Sequence, residues 1–488
     1  MSHATSSRRP DGCQFFYLNQ TPGDNGPKIN ISNRVPHFGI FFDGTGNNLF
    51  NDLKDATGDR SPTNIGKLSL LYGHTYEPTS GAHYIDGVGT VPGHQNNNAD
   101  MSFALDIGNK INQAINRAQL FFSSYNNSPI GILDVFGFSR GAAEARHFVN
   151  EMQRLLQIDP DYFGGPKLQI RFLGLFDTVG SIGIPGDNSQ TLLGEQFNLN
   201  LNPDAVHYVY HLTAFHEHRE YYPLSSILTA PGQSPAPHFV EEVLPGVHSD
   251  IGGGYGPASE TVYYPPTSVE WVSQKIFYDP NEPALQDKVR QIKEDYEKKY
   301  REPGLNLTME LLAPQELGGP YRKVVVFPRW HRHPRPELAY SALARMHERA
   351  CAQGVPFEPL DRLPDKPEFE GWTPERLYAM PGDLKERVPE LDQNPKAEPS
   401  ADYVFTRYVH HSCQYWPAPP KDLADSLTSA SAWFGINSNR PEDNPDKPAP
   451  NGKREWFAND AGKGYSPHDQ WKRLNRGHGA YVWVRQSA

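Results

Sequence analysis

Ser139, Asp177 and His248 follow one another along the chain, each just beyond an apolar run. The serine lies in Gly137-Phe138-Ser139-Arg140-Gly141, after the run GILDVFGF and before AAEARHFVNEMQRLL. A serine hydroxyl is a weak nucleophile until a base takes its proton, and a histidine base needs an acid to orient it. A tight strand-to-helix turn is the setting that lifts a serine Oγ clear of a sheet. Gly137 and Gly141 remove the Cβ atoms that would crowd such a turn. The helix that follows aims its free N–H groups and positive end at the same place, so the Arg140 N–H can face a developing oxyanion. The bland alternative is a loop serine between two glycines, and the pentapeptide alone does not separate the two.

The partners do. Asp177, 38 residues after Ser139, closes IRFLGLFD, and His248, 71 residues further on, follows the run FVEEVLP. Serine, then acid, then histidine is the chain order expected when each sits on a loop after a successive strand. Open α/β sheets place their sites at those strand ends. Glu217, beyond the run 206–216, is the alternative acid, whereas Asp250 is close to His248 along one turn. HFGIFFDGTGNN should supply the second oxyanion donor, from the backbone of Gly44 or Thr45. A rival reading makes Asp43 a phosphoryl-transfer nucleophile, but the second aspartate it needs is replaced by Thr45. His216 and His218, like His331 and His333, could share a strand face. Zinc would need a third ligand, and the sequence assigns none. His410-His411 reads as structural. The chemistry needs no cofactor and no metal.

Elements must hold these residues. Phe38–Phe42, 83–90, 131–138, 168–180 with its closing turn, 206–216 and 239–255 read as strands. Residues 61–73, with Thr63 or Asn64 as cap, 101–125 and 142–156 read as helices. In 101–125, Ile107, Ile111, Ala114, Ile115 and Ala118 recur at helical spacing. Alternating strands and helices predict an α/β class with a mostly parallel central sheet flanked by helices. The expected division is a loose arm at 1–33, a catalytic core at 34–264 and a less regular helical, Pro-rich second module at 265–400. A return strand at 401–416 and an irregular tail at 417–488 follow.

Composition narrows the function. The 488 residues carry a net charge of -11, which argues against nucleic acid as a partner and against broad attraction to anionic lipid. Three scattered cysteines imply neither a disulfide framework nor a zinc pair. Two N-terminal arginines are not followed by an apolar stretch, and no run of 18 apolar residues occurs. Neither a secretory signal nor a membrane-spanning helix is expected, and synthesis in a reducing cytoplasm follows.

Taken together, HFGIFFDGTGNN, TNIGKL, YIDGVGT, GFSRGAAEAR, LGLFDTVGSIG, LPGVHSDIGGGY and YVHHS occur in an order that resembles one α/β-hydrolase family. It includes the first family of type VI secretion lipase effectors. The motifs span roughly 37–255, with an echo at 408–412. The resemblance implies an antibacterial phospholipase, delivered into a rival's periplasm, that cleaves acyl esters of membrane phospholipids. It puts the nucleophile on Ser139, the acid on Asp177 and the base on His248. It also implies a second module touching membrane, a secretion spike as carrier and an immunity protein in the producer. Residues 265–400 and the tail are the candidates for that module, with Trp433-Phe434 as an apolar contact. The alternatives are a soluble-ester hydrolase of the same fold and a degenerate hydrolase-fold binding module.

Overall fold

A computed structural model describes residues 35–54, 60–73, 79–90, 103–180, 191–192, 195–196, 198–257, 259–302, 304–362, 372–379, 381–383, 387, 400–412, 453–457, 459, 470–475 and 481–485. The expected arm at 1–33 and Trp433-Phe434 lie outside the described residues.

Six apolar runs become strands: β1 (His37–Phe42), β2 (Ser80–Ile85), β3 (Ile130–Phe138), β4 (Lys167–Phe176), β5 (Tyr208–Ala214) and β6 (Phe239–Leu244). They form one sheet in the order β6-β5-β4-β3-β1-β2, with every pairing parallel. A parallel sheet is covered on both faces, so its inner strands are nearly continuous apolar runs. In β3 every residue after Ile130 is buried. Its one charge, Asp134, is bound by Arg171 and by the Tyr72 hydroxyl at 2.6 Å. The strand order reverses between β1 and β3, which opens a crevice at their C-terminal ends.

Helices α1 (Asn64–Leu71), α2 (Phe103–Ser123) and α3 (Arg140–Ile158) arise where the 3.6-residue period predicts them. Thr63 caps α1, its hydroxyl accepting the Gly66 N–H at 3.1 Å. On one sheet face, Ile107, Ile111, Ala114 and Ala118 of α2 pack with Ala145, Phe148, Val149 and Met152 of α3. On the other, Ile65, Leu68 and Leu71 of α1 meet Ala342, Leu343, Met346 and Ala350 of the helix Leu338–Ala352. Part of the segment assigned to the second module therefore completes the central core.

The helices expected in that module, at 284–303 and 337–353, are present, but they accompany a sheet that was not expected. Strand β7 (Glu260–Tyr263), from the segment assigned to the core, joins β8 (Thr267–Val272), β9 (Thr308–Gly318) and β10 (Tyr321–Arg332) in an antiparallel sheet in which β10 pairs with the other three. The helix Pro283–Tyr300 covers it through Leu285 and Val289. One face meets water, so charges interrupt the apolar pattern and pair across strands, as Lys323 does with Glu270 and Arg329 with Glu310. Within the return strand expected at 401–416, Ser400–Arg407 is instead a helix, and 413–416 lie outside the described residues. Val404 and Tyr408, one helical turn apart, pack together with Val247 and Leu338, which selects the helical period.

The tail is not wholly irregular. Strands β11 (Lys453–Phe457), β12 (Gln470–Asn475) and β13 (Tyr481–Arg485) form an antiparallel meander. Its first strand runs parallel to Leu224–Ser225, beside the sheet's C-terminal edge.

Candidate active site

Phe42 and Gly137 are register partners, so Asp43-Gly44-Thr45 and Phe138-Ser139-Arg140 leave the sheet side by side at the crevice. A Cβ on Gly141 would stand 2.3 Å from the Asp43 carbonyl oxygen, and one on Gly137 2.5 Å from that of Gly141. Both glycines of the pentapeptide are therefore demanded by close approach of main chain. Ser139 takes φ 58°, a left-handed conformation that costs a non-glycine residue of order 1–3 kcal/mol. Four main-chain contacts hold it there: its N–H donates to Phe176, and its carbonyl accepts from Ala142, Ala143 and Val179. Ser139 stands at the N-cap of α3 yet makes no side-chain cap, which leaves Oγ available.

His248 Nε2 lies 2.7 Å from Ser139 Oγ, and its Nδ1 lies 2.7 Å from Asp177 Oδ2. All three side chains are buried. Asp177 also adopts a left-handed φ, 40°, with its N–H bonded to Leu212 at the end of β5. His248 begins a short helix after β6. Its ring is flanked by Phe138 at 4.7 Å and, edge-on, by Tyr222 at 5.2 Å. The structure thus brings together three residues that the sequence places on three separate strand ends.

The family model described as the T6SS phospholipase effector Tle1-like catalytic domain matches residues 37–158 and 153–275. Residues 37–275 belong to that family. Among solved structures, the chain is similar to the Tle1 effector bound to the VgrG spike of the Type 6 secretion system. Identity is 22%, over 87% of this chain and 94% of that one, with a TM-score of 0.57, a likeness of fold. An uncharacterized protein from Pseudomonas aeruginosa aligns at 20% identity over 76% of this chain and 52% of that one, with a TM-score of 0.44. No curated protein matches the chain. The α/β-hydrolase fold expected from the sequence is the fold of this Tle1-like domain.

Other expected residues of the Tle1-like domain are placed less simply. The Gly44 N–H donates to its neighbour's carboxylate, Asp43 Oδ1, at 2.7 Å, so this donor is engaged. The Thr45 hydroxyl contacts Arg140 Nε, joining the two loops. Glu217, the alternative acid, meets the main chain of His248 rather than its ring, accepting that N–H at 3.2 Å. It also accepts from the Arg219 guanidinium at 3.0 and 3.1 Å and from the Ser412 hydroxyl at 3.1 Å. Asp250 binds Nδ1 of His410 at 2.6 Å. Of the other histidines weighed, His216 accepts the Gly246 N–H, His218 meets the His216 carbonyl, His331 meets Thr261, and the His411 N–H donates to Glu260. His333 sits on the loop after β10.

Sequence reasoning missed Arg454. Its guanidinium, fully buried on β11, donates to both oxygens of Asp177, at 2.9 and 2.7 Å. Asp43, weighed in the sequence only as a rival nucleophile, accepts from Thr63 and Tyr84 and so ties β1 to α1 and β2. A charged residue in KREWF, in a Pro/Asn-rich tail, carries no local signal of a partner 277 positions away.

The charges follow from these contacts. Burial opposes ionisation of Asp177, but the Arg454 and His248 partners outweigh it and hold the carboxyl far below the usual carboxylate range. Burial likewise opposes ionisation of Glu217, and the Arg219 guanidinium prevails. Burial lowers His248 below the ordinary histidine value, against the pull of Asp177. With Asp177 ionised, the neutral imidazole carries its proton on Nδ1 and leaves Nε2 free to accept one from Ser139.

Proposed function

We propose that the protein is a serine phospholipase that cleaves acyl esters of membrane phospholipids through an acyl-enzyme. The observation that carries this reading is the unbroken chain Ser139 Oγ, His248 Nε2, His248 Nδ1, Asp177 Oδ2, with both hydrogen-bond distances at 2.7 Å. His248 takes the Ser139 proton as Oγ attacks the ester carbonyl. The oxyanion is met by the N–H of Arg140, one of the unpaired donors that open α3, and by that of Thr45. The imidazolium returns its proton to the departing glycerol oxygen. Water then adds to the acyl-enzyme, again through His248, and frees the fatty acid and Ser139. Asp177 holds the imidazole's orientation and stabilises its charged form.

Family membership supports phospholipid as substrate and the type VI system as the route out of the producer. A spike protein is the carrier that the neighbour's complex suggests, and the rival's periplasm is the compartment where a phospholipase of this kind acts on membrane. An immunity protein in the producer completes that scheme. In the second module, Ile276 and Phe277 are 82% and 81% exposed, apolar side chains available to a bilayer.

Ser139→Ala is the test. Purified variant should release no fatty acid from phospholipid vesicles, and a fluorophosphonate should label the wild type but not the variant. Unchanged fatty-acid release by the variant would sink the mechanism. Turnover confined to short-chain monomeric esters would make the protein a soluble-ester hydrolase instead.

A further inference from the structure

The Asp177 carboxylate has about four acceptor positions. Oδ1 takes the Ala214 N–H at 2.9 Å and one Arg454 nitrogen at 2.9 Å, and Oδ2 takes His248 Nδ1 and the second Arg454 nitrogen, both at 2.7 Å. Half of the bonds that orient this carboxylate therefore come from one guanidinium. Arg454 Nε donates in turn to the Tyr222 carbonyl at 2.6 Å, and the Tyr222 ring lies against His248. The arginine thus bridges the acid and a wall of the imidazole pocket.

We propose that Arg454 is a positioning residue of the hydrolase: its two-pronged bond fixes the Asp177 carboxylate so that His248 is aimed at Ser139, and the C-terminal strand thereby completes the active site. This rests on the serine-hydrolase reading above. A guanidinium suits the task because its donors form a rigid fork matched to a carboxylate, whereas an ammonium is a point charge on a flexible stem. The strand that carries it is itself held. Trp456 and Phe457 pair with Leu224 and Ser225, the Asn459 N–H donates to Leu228 at 2.8 Å, and the Asn459 amide bonds both main-chain groups of Leu201.

The pairing also sets how strongly the acid pulls on the base. A buried carboxylate without its arginine would draw a proton onto the Asp177–His248 pair at higher pH, whichever of the two holds it. A role confined to anchoring the tail predicts no such shift.

The test compares full-length wild type, Ser139→Ala, Arg454→Gln and Arg454→Lys on phosphatidylethanolamine–phosphatidylglycerol vesicles across pH, with active sites counted by fluorophosphonate. Arg454→Gln should lower kcat per active site by about 10- to 100-fold, the range for groups that orient a ligand rather than react, with KM within about threefold. Its acid limb should rise by about one pH unit. Arg454→Lys should keep the limb of the wild type and recover part of kcat. Wild-type kcat per site and an unmoved limb in Arg454→Gln would reduce Arg454 to a tail anchor. If that variant does not fold, wild-type kcat in Arg454→Lys overturns the role of the fork. Activity surviving in Ser139→Ala defeats the serine reading instead, and the two failures are read from different variants.

Discussion

The Thr45 hydroxyl meets the Arg140 side chain across the crevice, so the loop after β1 is tied to the first residue after the nucleophile's position. Beneath that tie, Gly141 lies against the carbonyls of Phe42 and Asp43. The two loops that carry the proposed oxyanion donors are thereby packed as a unit.

Gly141→Ala should break that unit. The new methyl group would sit 2.3 and 2.4 Å from two main-chain oxygens, and main chain cannot yield as a flexible side chain would. We expect a loss of at least about 100-fold in kcat, the scale of losing one oxyanion donor. Steady-state kinetics of the folded fraction checks it, and a variant within threefold of wild type would show that the two loops can part without consequence.

The acid limb of kcat/KM should fall below pH 6.5. Burial lowers His248, so the base stays neutral to lower pH than a free histidine. The same shift has a stability sign: the folded state binds fewer protons than the unfolded one, so stability falls as pH drops below the unfolded histidine value. A limb at or above 6.5 on a monomeric ester would contradict this environment for His248.

Asp43 gives the opposite slope. Burial pushes its carboxyl up to about 6 from 3.8, against the bonds from Tyr84, Thr63 and Gly44. The folded state then holds a proton that the unfolded state has lost, so stability declines between pH 4 and 6 by on the order of 3 kcal/mol. Asp43→Asn should remove that decline. Chemical denaturation at pH 4.5 and 7 in both proteins measures it, and parallel pH profiles would count against the assignment.

Met346→Ala should cost about 2–5 kcal/mol, because the side chain is fully buried in the core beneath the sheet. The same observation predicts that a chain ended at residue 264 does not fold, since the helix Leu338–Ala352 would leave α1 uncovered. A soluble, cooperative fragment 34–264 would overturn that dependence.

Replacing Ile276 and Phe277 together by serine should weaken sedimentation with vesicles while leaving monomeric-ester turnover within about twofold, as substitutions on an exposed surface generally do. Equal vesicle binding by both proteins would remove this loop from the membrane contact.

Much of the central fold, and the convergence of its candidate site residues, was legible in the sequence because the signals are local. The β3 run is apolar throughout because both sheet faces are covered, and α2 shows its buried stripe at three- and four-residue spacing. Ser139, Asp177 and His248 were legible because each follows such a run. The antiparallel sheet was not, since β9 and β10 face water on one side and their charges pair across strands, as Arg329 and Glu310 do. The helix at 400–407 was hidden by aromatic residues with strand propensity, overridden by packing of Val404 and Tyr408. Arg454 was hidden for a different reason: its partner is set by topology alone, and a lone arginine in a polar tail is the commonest of surface features.

That long separation has a consequence for synthesis. Asp177 leaves the ribosome 277 residues ahead of Arg454, and at 5–20 residues per second the interval is roughly 14–55 s. Throughout it the nascent sheet can close, yet its buried aspartate has no guanidinium to meet. Each new molecule thus passes through that interval with Asp177 lacking its arginine partner, until the segment 453–457 has been made.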